Sequence, residues 1–128
     1  MLKLISVIKR NDFKRAYSKG KSFVAKNLVI YVARNYKKGL RVGITTSKKI
    51  GNAPQRNRAR RIIRESARSV ISRFSGNFDV ILIARKSIVG LKSTQLNKTI
   101  EQGLSELILK ENKKGNHHEK RKFNNKVN

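Results

Sequence analysis

The excess of positive charge is the feature that most limits how this chain can fold. It contains 32 Lys and Arg residues against 7 Asp and Glu, which gives a formal net charge of +25 over 128 residues. Repulsion at this charge opposes compaction, so we expect the partner to be a polyanion that neutralises it. Hydrophobic residues make up 38% of the chain, enough for one modest core at this length. The composition therefore predicts a single small domain that binds a polyanion.

Charge alone leaves RNA, DNA and an anionic membrane surface as partners, and the sequence disfavours the membrane. It contains no run of about 18 apolar residues that would span a bilayer, and it lacks Trp. The apolar stretch in residues 1–5 is too short for a secretory signal. Cysteine is also absent, which excludes disulfides and thiolate metal sites and is compatible with a reducing compartment. We therefore expect a cytoplasmic protein with no membrane partner.

The positive charge is unevenly distributed along the chain. No acidic residue occurs between Asp12 and Glu65, whereas sixteen Lys or Arg residues lie in that interval. The last segment, 111–128, is rich in Asn and Lys and has almost no apolar residues, a composition typical of disorder. We therefore predict one basic folded domain over 1–110 and a disordered basic tail over 111–128.

Hydrophobic periodicity alternates between helical and strand spacing along the predicted domain. Three successive strand patterns are separated by short turn sequences, which predicts an antiparallel meander. Gly103 lies inside the last helical pattern, where glycine is unfavourable. The α-β-β-β-α-β-α order indicates an α+β two-layer sandwich with the helices packed on one sheet. The predicted elements are helix 11–18, strands 22–25, 28–33 and 40–47, helix 54–74, strand 78–84 and helix 94–109.

The helix predicted over 54–74 carries the densest positive charge. Five arginines fall within residues 56–64. Arg60, Arg64 and Arg68 are four residues apart, so they share a helix face that points away from the apolar face. Like charges at this spacing destabilise an isolated helix by about 0.2–0.5 kcal/mol per pair, so binding to an anion is the expected compensation. The planar guanidinium group contacts two phosphate oxygens at once, which favours nucleic acid as that anion.

A solvated basic face is the ordinary explanation of a charged run on a soluble protein. This run, however, has almost no acidic residue interleaved with it, and unpaired basic clusters are typical of nucleic-acid-binding proteins. We therefore predict a binding surface on the helix and on the residues before it. The predicted binding residues are Lys48, Lys49, Asn52, Arg56, Asn57, Arg58, Arg60, Arg61, Arg64 and Arg68.

The sequence KxGNAxxRNRxxR at residues 49–61 resembles, without a gap, the arginine-rich signature of the bacterial ribonuclease P protein family. Residues 11–20, 28–31 and 78–85 agree with this resemblance, which extends over about residues 6–109. Pro54 and Gln55 depart from the small apolar residues that are usual before the arginines. Arg60 stands where the family often has Lys.

The resemblance implies both a fold and a function. The strand 40–47, the basic helix and the strand 78–84 would form a parallel pair with a left-handed crossover, a rare exception to the right-handed rule. The sheet would be mixed and four-stranded, as in the second domain of a small-subunit ribosomal protein. The protein would bind ribonuclease P RNA and the 5′ leader of precursor tRNA and would assist endonucleolytic removal of the leader. The RNA subunit would perform the hydrolysis and would hold the Mg²⁺ that it requires.

Aromatic residues predict a second binding surface. Phe13 and Tyr17 are four residues apart on the first predicted helix, and Tyr31 shares one side of a strand with Val29. Aromatic rings flanked by cations suit single-stranded RNA, whose bases stack on them with about 1–3 kcal/mol each. Ordinary core packing is the alternative, above all for Phe13. By resemblance this surface is the cleft for the leader, and its predicted residues are Phe13, Lys14, Tyr17, Val29, Tyr31 and Arg34.

The residues of the chain do not favour catalysis by the protein itself. Asp12, Glu65 and Asp79 are scattered over the core region, where we expect Asp79 to pair or cap at a strand edge, and both histidines, His117 and His118, lie in the predicted tail. A protein nuclease needs paired carboxylates that hold a metal, or a histidine acid–base pair. We therefore expect no catalytic residue, no metal site and no small-molecule substrate in this protein.

Two other classes of protein remain as alternatives. A ribosomal protein would also be small, basic and tailed, but it would not explain an aromatic groove combined with the arginine signature. A general DNA-binding protein would need a groove-reading element or a dimer seam, which the sequence does not show. The expected partners are therefore ribonuclease P RNA and precursor tRNA.

Overall fold

The computed structural model describes residues 6–7, 14, 17–35 and 39–127, with side chains at residues 14, 17–35 and 39–110. Lys14 and residues 17–19 have helical backbone, as predicted for the first helix, whose remaining residues lie outside the described part. The strands are β1 (Ser6–Val7), β2 (Lys21–Val24), β3 (Leu28–Arg34), β4 (Arg41–Thr45) and β5 (Phe78–Ala84). The long helices are α1 (Ala53–Ile71) and α2 (Ser93–Val127), preceded by the short 3₁₀-helices Lys48–Ile50 and Lys86–Ile88 respectively.

The strands form one mixed sheet in the order β1-β4-β5-β3-β2. The pairs β2–β3 and β3–β5 are antiparallel, whereas β4–β5 and β1–β4 are parallel. Helix α1 connects the parallel neighbours β4 and β5, as the family resemblance implied. The α+β class is therefore confirmed, with the two-residue strand β1 as a fifth strand beside the four expected. The hand of the crossover stays a prediction.

The predicted antiparallel meander of three successive strands is wrong. β2 and β3 form the expected hairpin, but β5 lies between β3 and β4. The reason is burial: six of the seven residues of β5 are buried, and a strand that is apolar on both faces gains most at the centre of a sheet. The spacing of apolar residues along the chain cannot reveal which strand takes the central position, because that position depends on which strand buries more apolar surface.

The core lies between the sheet and the two long helices. Leu28, Ile30 and Val32 of β3 are fully buried on this face, since alternate residues of a strand point to the same side. Helix α1 packs against β4 and β5, and α2 packs against α1, β3 and β2. The apolar residues that the helices contribute are Ala59, Ile62, Ile63, Ala67, Val70, Ile71, Leu96, Ile100, Leu104, Leu107 and Ile108.

Gly103 explains how closely α2 approaches the sheet. A Cβ atom at this position would lie 2.6 Å from Cδ1 of Ile30 and 2.9 Å from Cδ2 of Phe23. Carbon atoms in van der Waals contact are about 3.5–4.0 Å apart, so a side chain at this position would push the helix away or force both neighbours to move. The glycine that is unfavourable in an isolated helix is therefore required by tertiary packing.

The two helix ends differ from their predictions. Helix α1 ends at Ile71 rather than 74, although Phe74 still packs against the core. Helix α2 continues to Val127, whereas the sequence predicted its end near Leu109 and disorder from 111. Low apolar content shows that a segment has little to bury, but it does not exclude helical backbone. No helix in the described part of the chain is long and apolar enough to cross a membrane.

Candidate nucleic-acid interface

The start of α1 is fixed by a reciprocal pair of hydrogen bonds. The backbone N–H of Gln55 donates to Oδ1 of Asn52 at 3.0 Å, and the backbone N–H of Asn52 donates to Oε1 of Gln55 at 2.9 Å. Pro54 occupies the first turn, where a backbone N–H would have no acceptor within the helix, so its absence in proline removes no hydrogen bond. The two residues that depart from the family pattern thus build the helix start. Asn52 caps the helix, and its Asn-x-x-Gln spacing was the overlooked sequence signal.

The residue before this cap must be glycine. Gly51 has φ of +146°, and a Cβ atom there would lie 2.0 Å from Oε1 of Gln55. Its carbonyl oxygen accepts a hydrogen bond from Nη1 of Arg56 at 3.0 Å. The Gly-Asn part of the arginine-rich signature therefore serves the geometry of the turn that starts α1.

Two arginines of the predicted binding surface are tethered by hydrogen bonds. Arg56 is held by Gly51, and Arg60 donates from Nη2 to Oγ1 of Thr46 at 2.9 Å. Both side chains are half-buried, so Arg60 lies at the side of α1 rather than on its outermost face. These tethers reduce the side-chain freedom that binding would otherwise remove.

The other predicted residues of α1 lie on its exposed face. Ile62, Ile63 and Ala67 are buried beneath them, so the predicted separation into an apolar and a basic face is present. Lys48 and Lys49, on the 3₁₀-helix Lys48–Ile50, are also exposed and lie next to the start of α1. We call this the basic surface, and its exposed residues are Lys48, Lys49, Asn52, Asn57, Arg58, Arg61, Arg64 and Arg68.

The basic surface has no acidic partner among the described side chains. The ion pairs of that part of the protein join Arg41 to Asp79, Arg73 to Glu101 and Lys110 to Glu106, and none of them involves the basic surface. Unpaired guanidinium groups close together create a positive potential that attracts polyanions. This arrangement is suited to binding phosphate groups.

Two of the predicted cleft aromatics are in contact. The rings of Tyr17 and Tyr31 lie edge to face, with centroids 5.1 Å apart and an interplanar angle of 86°. Tyr31 is half-buried and packs with Ala33 and Ile81 on the face of the sheet opposite α1 and α2. Tyr17 keeps 41% of its surface exposed. A partly exposed ring pair of this kind provides a surface on which bases can stack.

The other predicted cleft residues differ in their placement relative to this pair. Val29 shares one face of β3 with Tyr31, whereas Arg34 continues the alternation of the core residues of β3 and so belongs to the face that carries α1 and α2. Lys14 and Arg34 are exposed and Val29 is half-buried. Phe13 lies outside the described residues. The structure therefore brings Tyr17 and Tyr31 together.

The buried acid of the sheet is engaged in a structural ion pair. Asp79 is fully buried and accepts hydrogen bonds from Nε and Nη2 of Arg41, each at 2.7 Å. Nδ2 of Asn35 donates to the same carboxylate at 2.8 Å. Arg41 and Asp79 are opposite each other on the parallel strands β4 and β5. The expected pairing of Asp79 is therefore confirmed, but in the central strand of the sheet rather than at an edge. In the described part of the chain, no group of three or more His, Asp or Glu side chains is arranged to hold a metal ion.

The structure is an α+β domain with a basic helix on one layer, whose exposed cations have no acidic partner among the described side chains, and a partly exposed aromatic pair on the other layer. This combination defines a nucleic-acid-binding protein. Comparison with known proteins identifies its family. The family model described as ribonuclease P matches residues 1–108. The chain is 40% identical over 94 residues to the ribonuclease P protein component of Clostridioides difficile, covering 73% of this chain and 82% of that protein.

Solved structures agree with this match. The chain is similar to the RNase P protein of Staphylococcus aureus, with a TM-score of 0.69 and 35% identity, covering 80% of this chain and 94% of that one. For the RNase P protein of Thermotoga maritima the TM-score is 0.67 and the identity 25%, covering 81% and 96%. The chain belongs to the ribonuclease P protein family.

Family membership decides between the three classes of protein considered from the sequence. The chain is a protein component of ribonuclease P, an endoribonuclease that is a ribonucleoprotein and acts in tRNA 5′ processing. Its partner in that complex is RNA. The resemblance, the fold class and the subunit role predicted from the sequence are therefore confirmed, and the ribosomal and general DNA-binding alternatives are not.

Proposed function

We propose that the basic surface of α1 binds the ribonuclease P RNA and that the Tyr17–Tyr31 cleft binds the 5′ leader of precursor tRNA. The observation that carries the first part is the set of exposed arginines on α1, which have no acidic partner among the described side chains. Arginine is suited to this role because its planar group can contact two phosphate oxygens at once.

The cleft is proposed for the leader because a leader is single-stranded. Single-stranded RNA exposes base faces that stack on aromatic rings, with about 1–3 kcal/mol per base. The Tyr17–Tyr31 pair lies on the other face of the sheet from α1, so the two RNA ligands would occupy separate surfaces. The exposed cation Lys14 lies one helical turn before Tyr17 and would contact leader phosphates. Arg34, at the end of β3, has the alternation of the residues that face the helices and is therefore less well placed for the cleft.

Bond cleavage is proposed to belong to the RNA subunit, which would also hold the Mg²⁺. The described residues do not fit a magnesium site, because Asp79 is engaged with Arg41 and no cluster of carboxylates is present among them. Magnesium prefers carboxylate or phosphate oxygens, and RNA supplies phosphates. The protein would then contribute binding energy for RNA and leader, in the cytoplasm.

Reconstitution tests this function. The purified chain is mixed with the ribonuclease P RNA of the same organism and a precursor tRNA at low Mg²⁺, and leader removal is measured. We expect strong stimulation by the protein, and no stimulation would contradict the proposal.

Variants of exposed arginines then test the surface. Arg61→Ala with Arg64→Ala should weaken RNA binding and reduce the slope of log K against log salt by about 0.7–0.9 for each phosphate that the variant no longer neutralises. Arg73→Ala, which removes one cation that is ion-paired with Glu101, is the control, and the effects are compared per charge removed. If the Arg61/Arg64 variant and the Arg73 control lost equal RNA binding and equal salt slope per charge removed, α1 would be excluded as the specific phosphate site.

A further inference from the structure

The charge of α2 changes where the helix passes beyond the core. Between Ser93 and Lys110 it carries two Lys and two Glu residues, whereas residues 111–127 carry six Lys or Arg residues and two Glu. The ribonuclease P family model ends at residue 108. The basic continuation of α2 therefore lies beyond the residues that the family model matches, and its charge needs a separate explanation.

The continuation extends well past the packed domain. Ile108 is the last core residue of α2, and the helix ends at Val127. At about 1.5 Å per residue, the backbone travels about 28 Å beyond Ile108. Just before this extension, Lys110 pairs with Glu106 at 3.3 Å, and both side chains are about half exposed. The face of α2 that carries this pair is therefore accessible where the extension begins.

Four residues of the extension lie in line with that face. Positions three, four, seven and eleven residues beyond Lys110 fall on one side of a helix with 3.6 residues per turn. We call these four residues the basic stripe: Lys113, Lys114, His117 and Arg121.

The two glutamates of the extension are placed elsewhere. Glu111 and Glu119 lie between about a third and a half of a turn away from the centre of the basic stripe. Lys122 and Lys126 are on the same side as these glutamates. Within the extension, the helical arrangement thus separates one face without acidic residues from another face that carries both glutamates and two lysines.

We propose that the basic stripe binds the phosphate backbone of RNA in the ribonuclease P complex, as a contact additional to α1. This inference rests on the proposed function, since it takes the RNA of that complex as the ligand. Like charges three and four residues apart destabilise a helix, and phosphates along the stripe remove that repulsion. Binding therefore stabilises the helix as well as the complex.

A membrane surface is the less suitable ligand for this segment. Helices that lie in a bilayer interface need a broad apolar face beside their basic face. Within residues 111–127 the only apolar side chains belong to Phe123 and Val127. The composition therefore favours an aqueous polyanion over lipid.

Paired variants of the full-length chain test the proposal. One variant carries Lys114→Gln and Arg121→Gln in the basic stripe, and the control carries Lys122→Gln and Lys126→Gln beside the glutamates. Each removes two positive charges, and glutamine keeps a helix propensity close to that of lysine and arginine. Binding of each protein to the ribonuclease P RNA is measured over a range of salt concentrations.

We expect the stripe variant to bind more weakly and its salt slope to be smaller by up to about 1.4–1.8, the value for two phosphates that are no longer neutralised. The control should keep the slope of the unchanged chain. In hydrogen exchange, RNA should protect the amides of residues 111–127 in the unchanged chain and in the control, and protect them less in the stripe variant.

The other outcomes separate this inference from the proposed function. An unchanged slope in the stripe variant overturns the inference, while RNA binding that still depends on Arg61 and Arg64 leaves the proposed function standing. Equal losses in both variants also overturn it, because they would show a polycation without a binding face. Failure of the unchanged chain to bind ribonuclease P RNA contradicts the proposed function itself.

Discussion

The Asn52 side chain accepts a hydrogen bond from the backbone N–H of Gln55, and the Gln55 side chain accepts one from the backbone N–H of Asn52. Asn52→Ala removes the first bond, so we expect the free energy of unfolding to fall by about 1 kcal/mol, the usual loss for a helix N-cap. Urea denaturation measures this change. Asn52→Ser should restore most of the stability, since serine also caps helices. Asn57→Ala, at an exposed position inside α1, is the control for stability and should not lower the free energy of unfolding, since alanine has a higher helix propensity than asparagine.

If Asn52→Ala weakened RNA binding without any loss of stability, the residue would be a direct RNA contact and the capping explanation would be wrong. If stability and RNA binding fell together, and serine restored both, the residue would act by fixing the start of α1. The two measurements thus distinguish a positioning residue from a contact residue.

Both side chains of the Arg41–Asp79 pair are buried, with exposed fractions of 8% for Arg41 and 0% for Asp79. Asp79→Ala leaves the Arg41 charge without its carboxylate inside the protein, so we expect a loss of about 3–5 kcal/mol in the free energy of unfolding. Glu101→Ala breaks the exposed pair with Arg73 and should cost no more than about 1 kcal/mol. Denaturant titration of both variants checks the contrast, and similar losses would refute it.

Tyr31 provides a prediction for the aromatic cleft. Tyr31→Ala removes one ring of the Tyr17–Tyr31 pair, so binding of precursor tRNA should weaken by about 1–3 kcal/mol, the contribution of one stacked base. Mature tRNA lacks the leader and should bind almost as before. Tyr31→Phe keeps the ring and should keep the preference for precursor. Equal losses for both tRNAs on Tyr31→Ala would show that the ring only packs against the sheet.

At the scale of helices and strands, local patterns predicted most elements but not their arrangement. The alternation of Leu28, Ile30 and Val32 and the helical spacing of the apolar residues of α1 follow from burial on one side, which spacing reveals. The exposure of Arg61 and Arg64 follows from the same spacing. The insertion of β5 between β3 and β4, by contrast, depends on which strand buries more apolar surface.

Contacts between segments that are distant in the chain also could not be predicted from local sequence patterns. The tether of Arg60 to Thr46 joins a helix to the loop before it, and the Arg41–Asp79 pair required the register of two strands that are far apart in the chain. Family resemblance supplied the parallel pairing of β4 and β5, whereas the turn signals had placed β4 beside β3 in a meander. The local spacing of apolar residues thus predicts which side of a helix or strand faces the core, whereas contacts between distant segments decide which elements lie next to each other.

Gly103 carries a prediction at the level of helix packing. Alanine favours helix over glycine by about 1 kcal/mol, but overpacking a core costs about 1–3 kcal/mol. Because the new Cβ would lie 2.6 Å from Cδ1 of Ile30, we expect Gly103→Ala to lower the free energy of unfolding by up to about 2 kcal/mol. Ile30→Val removes that Cδ1 atom. In a double-mutant cycle, Gly103→Ala should therefore cost less on the Ile30→Val background, and strict additivity would contradict the close approach of α2.

For the whole molecule, the net charge of +25 has two consequences with opposite dependence on salt. Binding to RNA releases counterions from the phosphates, so salt weakens it. Folding of the free protein brings like charges together, so salt should strengthen it by screening their repulsion. The basic surface that is useful in the complex therefore destabilises the protein outside it.

We expect the Tm of the free protein to rise by several degrees between about 0.05 and 0.5 M NaCl, because the screening length falls well below about 10 Å over this range. A gain of about 1 kcal/mol corresponds to about 4–8 °C for a domain of this size. The triple variant Arg61→Gln, Arg64→Gln and Arg68→Gln removes three exposed charges from α1 without touching the core. It should melt at a higher temperature than the unchanged chain in low salt and gain less from added NaCl. A Tm that stays constant or falls with salt, or a triple variant that gains as much as the unchanged chain, would show that charge repulsion on α1 does not limit the stability of the fold.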